Sequence, residues 1–178
     1  MEVTAMRIAI TGTPGTGKTT AVEHLNLDQF DTDFEVIHLN DIIRDREFTT
    51  GRDEDRDSLV ADLDAVSEWL DGHDEAVVES HLAHEFDADK VVVLRCAPDE
   101  IERRLLDRSE SAESARENAE SEALDVVLGH AVQNHGEETV YEIETTDRTP
   151  EDVATEIEAV ISGAREPSAG TVDYIDYL

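Results

Sequence analysis

The residues whose types and spacing carry chemistry most plainly are in the run Gly12-Thr13-Pro14-Gly15-Thr16-Gly17-Lys18-Thr19. It fits G-x-x-x-x-G-K-[ST], a loop whose backbone N–H groups converge on nucleotide phosphates. Glycines at 12, 15 and 17 let the backbone turn inward without side chains in the way. Lys18 offers a point charge to the β- and γ-phosphates, and the Thr19 hydroxyl offers an oxygen to a magnesium ion. Lysine occurs in this chain only at 18 and 90. A sequence that has discarded lysine elsewhere retains one where a phosphate would sit.

Such a loop works only between a strand that delivers it and a helix that leaves it. Arg7-Ile8-Ala9-Ile10-Thr11 reads as a short buried strand, and Thr19 to Leu25 as a helix whose positive end faces the phosphate. Downstream, Phe34 to Leu39 is a second strand candidate, and Asn40 or Asp41 caps a short helix carrying Ile42, Ile43 and Arg44. Phe48 to Ser58 reads as an exposed polar loop. Leu59, Leu63, Val66 and Leu70 then recur at helical spacing, with Trp69 packing beside them. Further strands are expected at 75–79, 90–95 and 139–143, and helices from Pro98, around Leu124 to Ala131, and from Thr149-Pro150.

Strands alternating with helices predict an α/β fold. The expected form is a P-loop core with a five-stranded parallel sheet, helices on both faces, and ligands beyond the C-terminal strand ends. Those ends present Gly12–Thr19, Asp41, Glu79 and Cys96. One domain over 6–163 is expected, with polar excursions at about 40–72 and 107–120 placed to close over a substrate. Residues 1–5 and 164–178 read as flexible tails, and Met6 is an alternative start.

The formal charge is −31, from 14 Lys+Arg against 45 Asp+Glu, while 39% of residues are hydrophobic and fall in periodic segments. That combination fits a folded core under an acidic shell, suited to concentrated salt, better than it fits disorder. It argues against a nucleic-acid surface, which needs clustered Lys and Arg. The single cysteine, Cys96, rules out an internal disulfide and fits a reducing cytoplasm, and its place after an apolar run reads as a small buried residue. No apolar run is long enough to span a membrane, and the N-terminus lacks the pattern of a signal peptide. His81 and His84 invite a metal reading. With no other Cys or His close in sequence, the pair falls short of the three or four ligands a zinc site needs.

The spacing resembles P-loop nucleoside monophosphate kinases, and more closely the adenylate kinase isoenzyme six, or coilin-interacting nuclear ATPase, family, over Ile8 to about Ile161. Thr11 to Thr20 is similar to that family's T-G-T-P-G loop. Asn40-Asp41-Ile42-Ile43-Arg44 resembles its G-D-L-x-R segment, and Val91-Val92-Val93-Leu94-Arg95 its V-x-V-L-R strand. Arg104-Leu105-Leu106-Asp107-Arg108 resembles the R-L-x-x-R that starts its lid, and Glu117-Asn118 the pair that closes it. There is one departure: the family's D-x-H after the third strand is Glu79-Ser80-His81 here.

The resemblance implies transfer of the γ-phosphoryl group of MgATP to AMP in a cytoplasmic monomer. It implies ATP binding by Gly12, Gly15, Thr16, Gly17, Lys18, Thr19, Thr20 and Arg108, with Lys18 and Arg108 catalytic. It implies AMP binding by Asp41, Arg44 and His81, and magnesium placed by Thr19 and, through water, Glu79. The lid would be about 107–120 and the acceptor part about 40–72. Two alternatives stay open. One is an ATPase acting in small ribosomal subunit maturation through a ribosomal protein partner. The other is a P-loop kinase of another small acceptor, guanine recognition being disfavoured by the lack of an N-K-x-D stretch.

Overall fold

A computed structural model describes residues 6–54 and 58–178; the expected tail at 1–5 lies outside these. The chain runs β1 (Arg7–Thr11), α1 (Lys18–Glu23), β2 (Glu35–His38), α2 (Leu39–Asp45), β3 (Thr49–Asp53), β4 (Ser58–Ala61) and α3 (Leu63–Leu70). It continues through β5 (Ala76–Glu79), β6 (Lys90–Arg95), α4 (Pro98–Asp107), α5 (Ala112–Ala123), α6 (Val126–His135), β7 (Val140–Glu144) and α7 (Pro150–Ser162).

Five strands form one parallel sheet in the order β2-β5-β1-β6-β7, so the phosphate-loop strand lies in the middle. Period-two alternation divides its side chains. Ile8, Ile10, Val77, Val92, Leu94 and Ile143 face one core with α1 and α7 residues such as Val22, Val153 and Ile157. Ala9, Val78, Val91, Val93 and Val140 face another, with Ile43 of α2, Val66 and Leu70 of α3, and Leu128 of α6. Apolar residues on both faces make the central strands continuous hydrophobic runs, as a sheet covered on both sides requires. Pro98 opens α4, and the Thr149 hydroxyl accepts from the Asp152 N–H at 3.1 Å to cap α7, as the sequence predicts.

Several expectations need correction. Phe48 to Ser58 is not a plain loop: β3 and β4 pair as an antiparallel hairpin, with Gly51 opposite Val60 and Arg52 opposite Leu59. Leu59 belongs to that hairpin and is exposed, and Leu63 is exposed at the start of α3, so the buried face of that helix is Val66 and Leu70. The Asp62 carboxylate accepts from Ala65 N–H at 3.1 Å, and this cap starts the helix at Leu63. Helix α2 begins at Leu39, with neither Asn40 nor Asp41 as its side-chain cap. Within 107–120, α5 is a regular helix capped by Ser111, with Ala115 and Ala119 buried.

The segment 164–178 is not loose. Strand β7 is an edge strand, and the tail supplies partners for its backbone. Ser168 N–H donates to Val140 O at 3.1 Å, and Arg165 Nη2 donates to Glu142 O at 2.7 Å. Such pairing satisfies groups that an open edge leaves to solvent. Farther on, the Tyr174 ring lies over the Arg95 guanidinium at 5.6 Å, and the Tyr177 hydroxyl donates to Glu102 on α4 at 2.9 Å.

Candidate active site

The loop leaves β1 at its C-terminal end, in the middle of the sheet edge where ligands of this architecture lie. Gly12 cannot carry a side chain, because a Cβ there would come within 2.7 Å of Leu94 O and 2.8 Å of Thr16 Oγ1. Gly17, at φ +91°, holds the left-handed turn from which α1 starts. Thr16 is buried and donates its hydroxyl back to Thr13 O at 2.9 Å, which closes the loop on itself.

Lys18 is buried, and its ammonium donates to Gly12 O at 2.9 Å and Thr13 O at 3.1 Å. Burial pulls its pKa down to about 8; Glu79 and Glu122 oppose that shift, while Arg108 adds to it.

Thr19 is exposed at the start of α1, and its hydroxyl donates to Glu79 Oε1 at 3.2 Å. The other oxygen of Glu79 meets His38 Nδ1 at 2.9 Å, as the parallel register of His38 opposite Glu79 dictates. Hydroxyl and carboxylate oxygens side by side at a phosphate loop are the donor set a hard cation such as magnesium takes. That contact with His38 fixes the end of the Glu79 side chain.

His81 lies close enough to Lys18 to feel its charge. Burial, the Lys18 charge and then His84 push its pKa down to about 4, so the ring is neutral at ordinary pH. Asn40 at the start of α2 ties this region together. Its amide oxygen accepts from the Ser80 hydroxyl at 2.6 Å, and its nitrogen lies 3.5 Å from His81 Nδ1. Asp41 and Arg44, by contrast, are exposed on α2 and pair with each other at 2.5 Å. In this conformation neither contacts the loop. Thr20 is exposed on α1.

Three further groups, to which the sequence alone gives no role at this site, complete the arrangement. Arg104, on α4, donates from Nη1 to Gly15 O at 3.1 Å and is steadied by Glu100 at 3.2 Å. Its i,i+4 relation to Arg108 was the available signal. His38 is the second. The third is a buried ionic cluster under the loop. Arg95 is fully buried at the end of β6 and donates from Nη1 to Glu142 at 2.7 Å and from Nε to Glu122 at 3.2 Å. Its Nη2 pairs with Asp125 at 2.5 Å.

Residues 8–125 match the AAA domain family. A protein of Natronomonas pharaonis named "Putative adenylate kinase" is 60% identical over 173 residues, spanning 97% of this chain and 100% of its own length. A protein of Halobacterium salinarum with the same name is 55% identical over 97% of this chain and 100% of its own. Among solved structures, shikimate kinase from Acinetobacter baumannii in complex with shikimate aligns over 91% of this chain and 96% of its own, with a TM-score of 0.61 at 19% identity. That likeness concerns the fold. No helix among the described residues is long and apolar enough to cross a membrane. The chain therefore belongs to the AAA domain family of P-loop proteins and, within it, to the same family as these haloarchaeal relatives.

Proposed function

We propose that this protein is a nucleoside monophosphate kinase that moves the γ-phosphoryl group of MgATP to AMP. Its place among P-loop phosphotransferases rests on the family and the fold. The adenylate reading is supported by the names of the relatives at 60% and 55% identity.

The observation that carries the proposal is the convergence of Lys18, Thr19 and Glu79 at one point of the sheet edge, with Thr19 Oγ1 and Glu79 Oε1 3.2 Å apart. Phosphoryl transfer needs positioning and charge neutralisation more than covalent chemistry from the protein. Lys18 and the loop amides hold the donor phosphates. Thr19 and, through water, Glu79 would hold the magnesium that enters with ATP, whose charge would offset that of the phosphate oxygens. The bond from the γ-phosphorus to the β–γ bridging oxygen breaks, and a bond to an AMP phosphate oxygen forms, leaving two ADP. Arg108, at the start of the lid segment 107–120, stabilises charge in that transition state. Arg104 holds the loop at Gly15. In the acceptor part, about 40–72, Arg44 exchanges its Asp41 partner for the AMP phosphate, and His81, held neutral, lines the cleft without repelling Lys18.

The deciding experiment is ADP formation with and without AMP in concentrated potassium chloride, for the parent, Arg44→Ala and Arg44→Lys. A charge-assisted hydrogen bond contributes roughly 1.5–3 kcal/mol. Arg44→Ala should therefore lower kcat/KM for AMP by about one to two orders of magnitude, leaving AMP-independent hydrolysis nearly unchanged. Arg44→Lys should recover only part, since a point charge cannot replace the planar fork. If AMP fails to stimulate the parent, the kinase reading falls, and an ATPase working on a protein partner or another acceptor takes its place. Equal stimulation of all three proteins would leave the activity and remove Arg44 from it.

A further inference from the structure

Next to the phosphate loop, where His84 reaches Thr11, three potential metal ligands meet. His84 and Glu85 come from the single 3-10 turn Ala83–Glu85 after β5, and His130 comes from α6. One ligand atom from each lies within 4.8 Å of the other two, and His84 Nε2 is 3.3 Å from Glu85 Oε1. The His84 and His130 ring centroids are 6.1 Å apart. His130 and Glu85 stand at the surface, so the cluster opens to solvent, while His84 is only 3% exposed and anchors it from within. The third ligand was invisible to the His81–His84 spacing because it arrives from a helix remote in sequence.

We propose that His84, Glu85 and His130 form a binding site for a transition-metal dication of the zinc class, separate from the magnesium that enters with ATP. Two imidazoles and one carboxylate, with positions left for water, are a donor set zinc favours, whereas magnesium and calcium prefer oxygen alone.

The surroundings of His84 are built for this. Its Nδ1 lies 2.7 Å from the hydroxyl of fully buried Thr11. Coordination through Nε2 places the ring proton on Nδ1, and Thr11 Oγ1 accepts it, which is the outer partner a metal-ligating histidine usually has. The backbone is fixed as well. His84 O accepts from His135 Nε2 at 2.8 Å and from Asn134 Nδ2 at 3.2 Å, both at the end of α6. Bound metal would therefore clamp α6 to the turn and, through Thr11, to the residue directly before Gly12.

The test is titration of the full chain with Co2+ and with Zn2+ in concentrated potassium chloride and excess Mg2+, which occupies the acidic surface. Calorimetry gives the stoichiometry, and the visible absorption of Co2+ reports its ligands. We expect one equivalent bound, with bands characteristic of nitrogen ligation. Loss of even an outer partner typically costs about 10–100-fold in metal affinity, so His130→Ala and Glu85→Gln should each weaken binding by at least that. Both side chains face solvent, so both variants should fold. Thr11→Val should weaken binding while retaining all three ligands. Failure of the parent to bind either metal in excess Mg2+ would overturn the proposal, as would unchanged affinity in His130→Ala and Glu85→Gln. The readout does not depend on phosphoryl transfer, so it stands apart from the kinase assay.

Discussion

The Thr13 hydroxyl donates to Glu122 Oε1 at 3.1 Å, joining the phosphate loop to the last turn of α5 across 109 positions of sequence. The same carboxylate accepts from Arg95 Nε at 3.2 Å and, through its other oxygen, from Cys96 N–H at 2.9 Å. Burial raises the pKa of Glu122, and Arg95, the Cys96 N–H and Thr13 pull it back down. The floor of the loop is thus a buried ion cluster rather than an apolar plug.

Removing one member of such a cluster strands the others. Arg95→Met would leave Glu122 and Glu142 buried without their cation, and breaking a buried pair costs roughly 3–5 kcal/mol. Thr13→Val removes one neutral donor from a carboxylate that keeps its other partners, so its cost should be near 1 kcal/mol. Urea unfolding in concentrated potassium chloride would compare the two. Equal midpoints for Arg95→Met and Thr13→Val would show that the cluster is solvated rather than buried.

Lys18 separates chemistry from folding. Its ammonium donates to two loop carbonyls, Gly12 O and Thr13 O. Lys18→Ala should therefore leave the fold intact while removing the charge that meets the transferring phosphates. We expect phosphoryl transfer to fall to background with an unchanged circular dichroism spectrum. Turnover within about tenfold of the parent, equivalent to less than about 1.4 kcal/mol of transition-state stabilisation, would remove the loop from the reaction.

The loop, the number of parallel strands and the starts of α1, α4 and α7 were legible because each is written locally. Thr149-Pro150 sets an N-cap beside an N1 proline, and Val91 to Leu94 is a continuous apolar run of strand length. The hairpin at 49–61 escaped because its Gly51 and charged residues carry a weak strand signal, and its partner strand supplied an apolar Leu59 in helical phase with α3. Glu122 escaped for another reason. Among 45 acidic residues, one that is buried looks like any that are solvated, and only the fold sets it against Arg95. His130 was hidden by sequence distance alone. The tail's attachment depends on β7 being an edge, a property of strand order that composition does not express.

Cys96 reports on opening of the site. Its side chain is fully buried beside Ile101, Leu105 and Ala115, and burial pushes the thiol pKa up. Less thiolate forms at any given pH than in a free cysteine, and reagents reach the sulfur only when α4 and α5 part. Alkylation by iodoacetamide should therefore be far slower than for a small-molecule thiol at pH 8, and it should accelerate in urea along the unfolding curve. Rapid labelling of the folded protein at the free-thiol rate would show that this packing is open in solution.

The last expectation follows from charge. With a formal net charge of −31 on 178 residues, self-repulsion opposes the compact state wherever it is unscreened. Few of the surface acids have cations to pair with, since 14 Lys+Arg face 45 Asp+Glu and Arg95, Arg104 and Lys18 are already engaged inside the site. The Debye length falls from about 10 Å at 0.1 M to about 3 Å at 1 M, so simple screening is nearly spent by the upper concentration. Thermal midpoints should therefore climb steeply over that first interval of potassium chloride. A further rise beyond it would come from strengthened burial rather than screening. Potassium sulfate, whose anion is excluded from protein surfaces, should exceed chloride at matched ionic strength in that upper range and match it more closely below. A midpoint that is flat or falls across the lower interval would mean that the acidic shell is not what limits the stability of this fold.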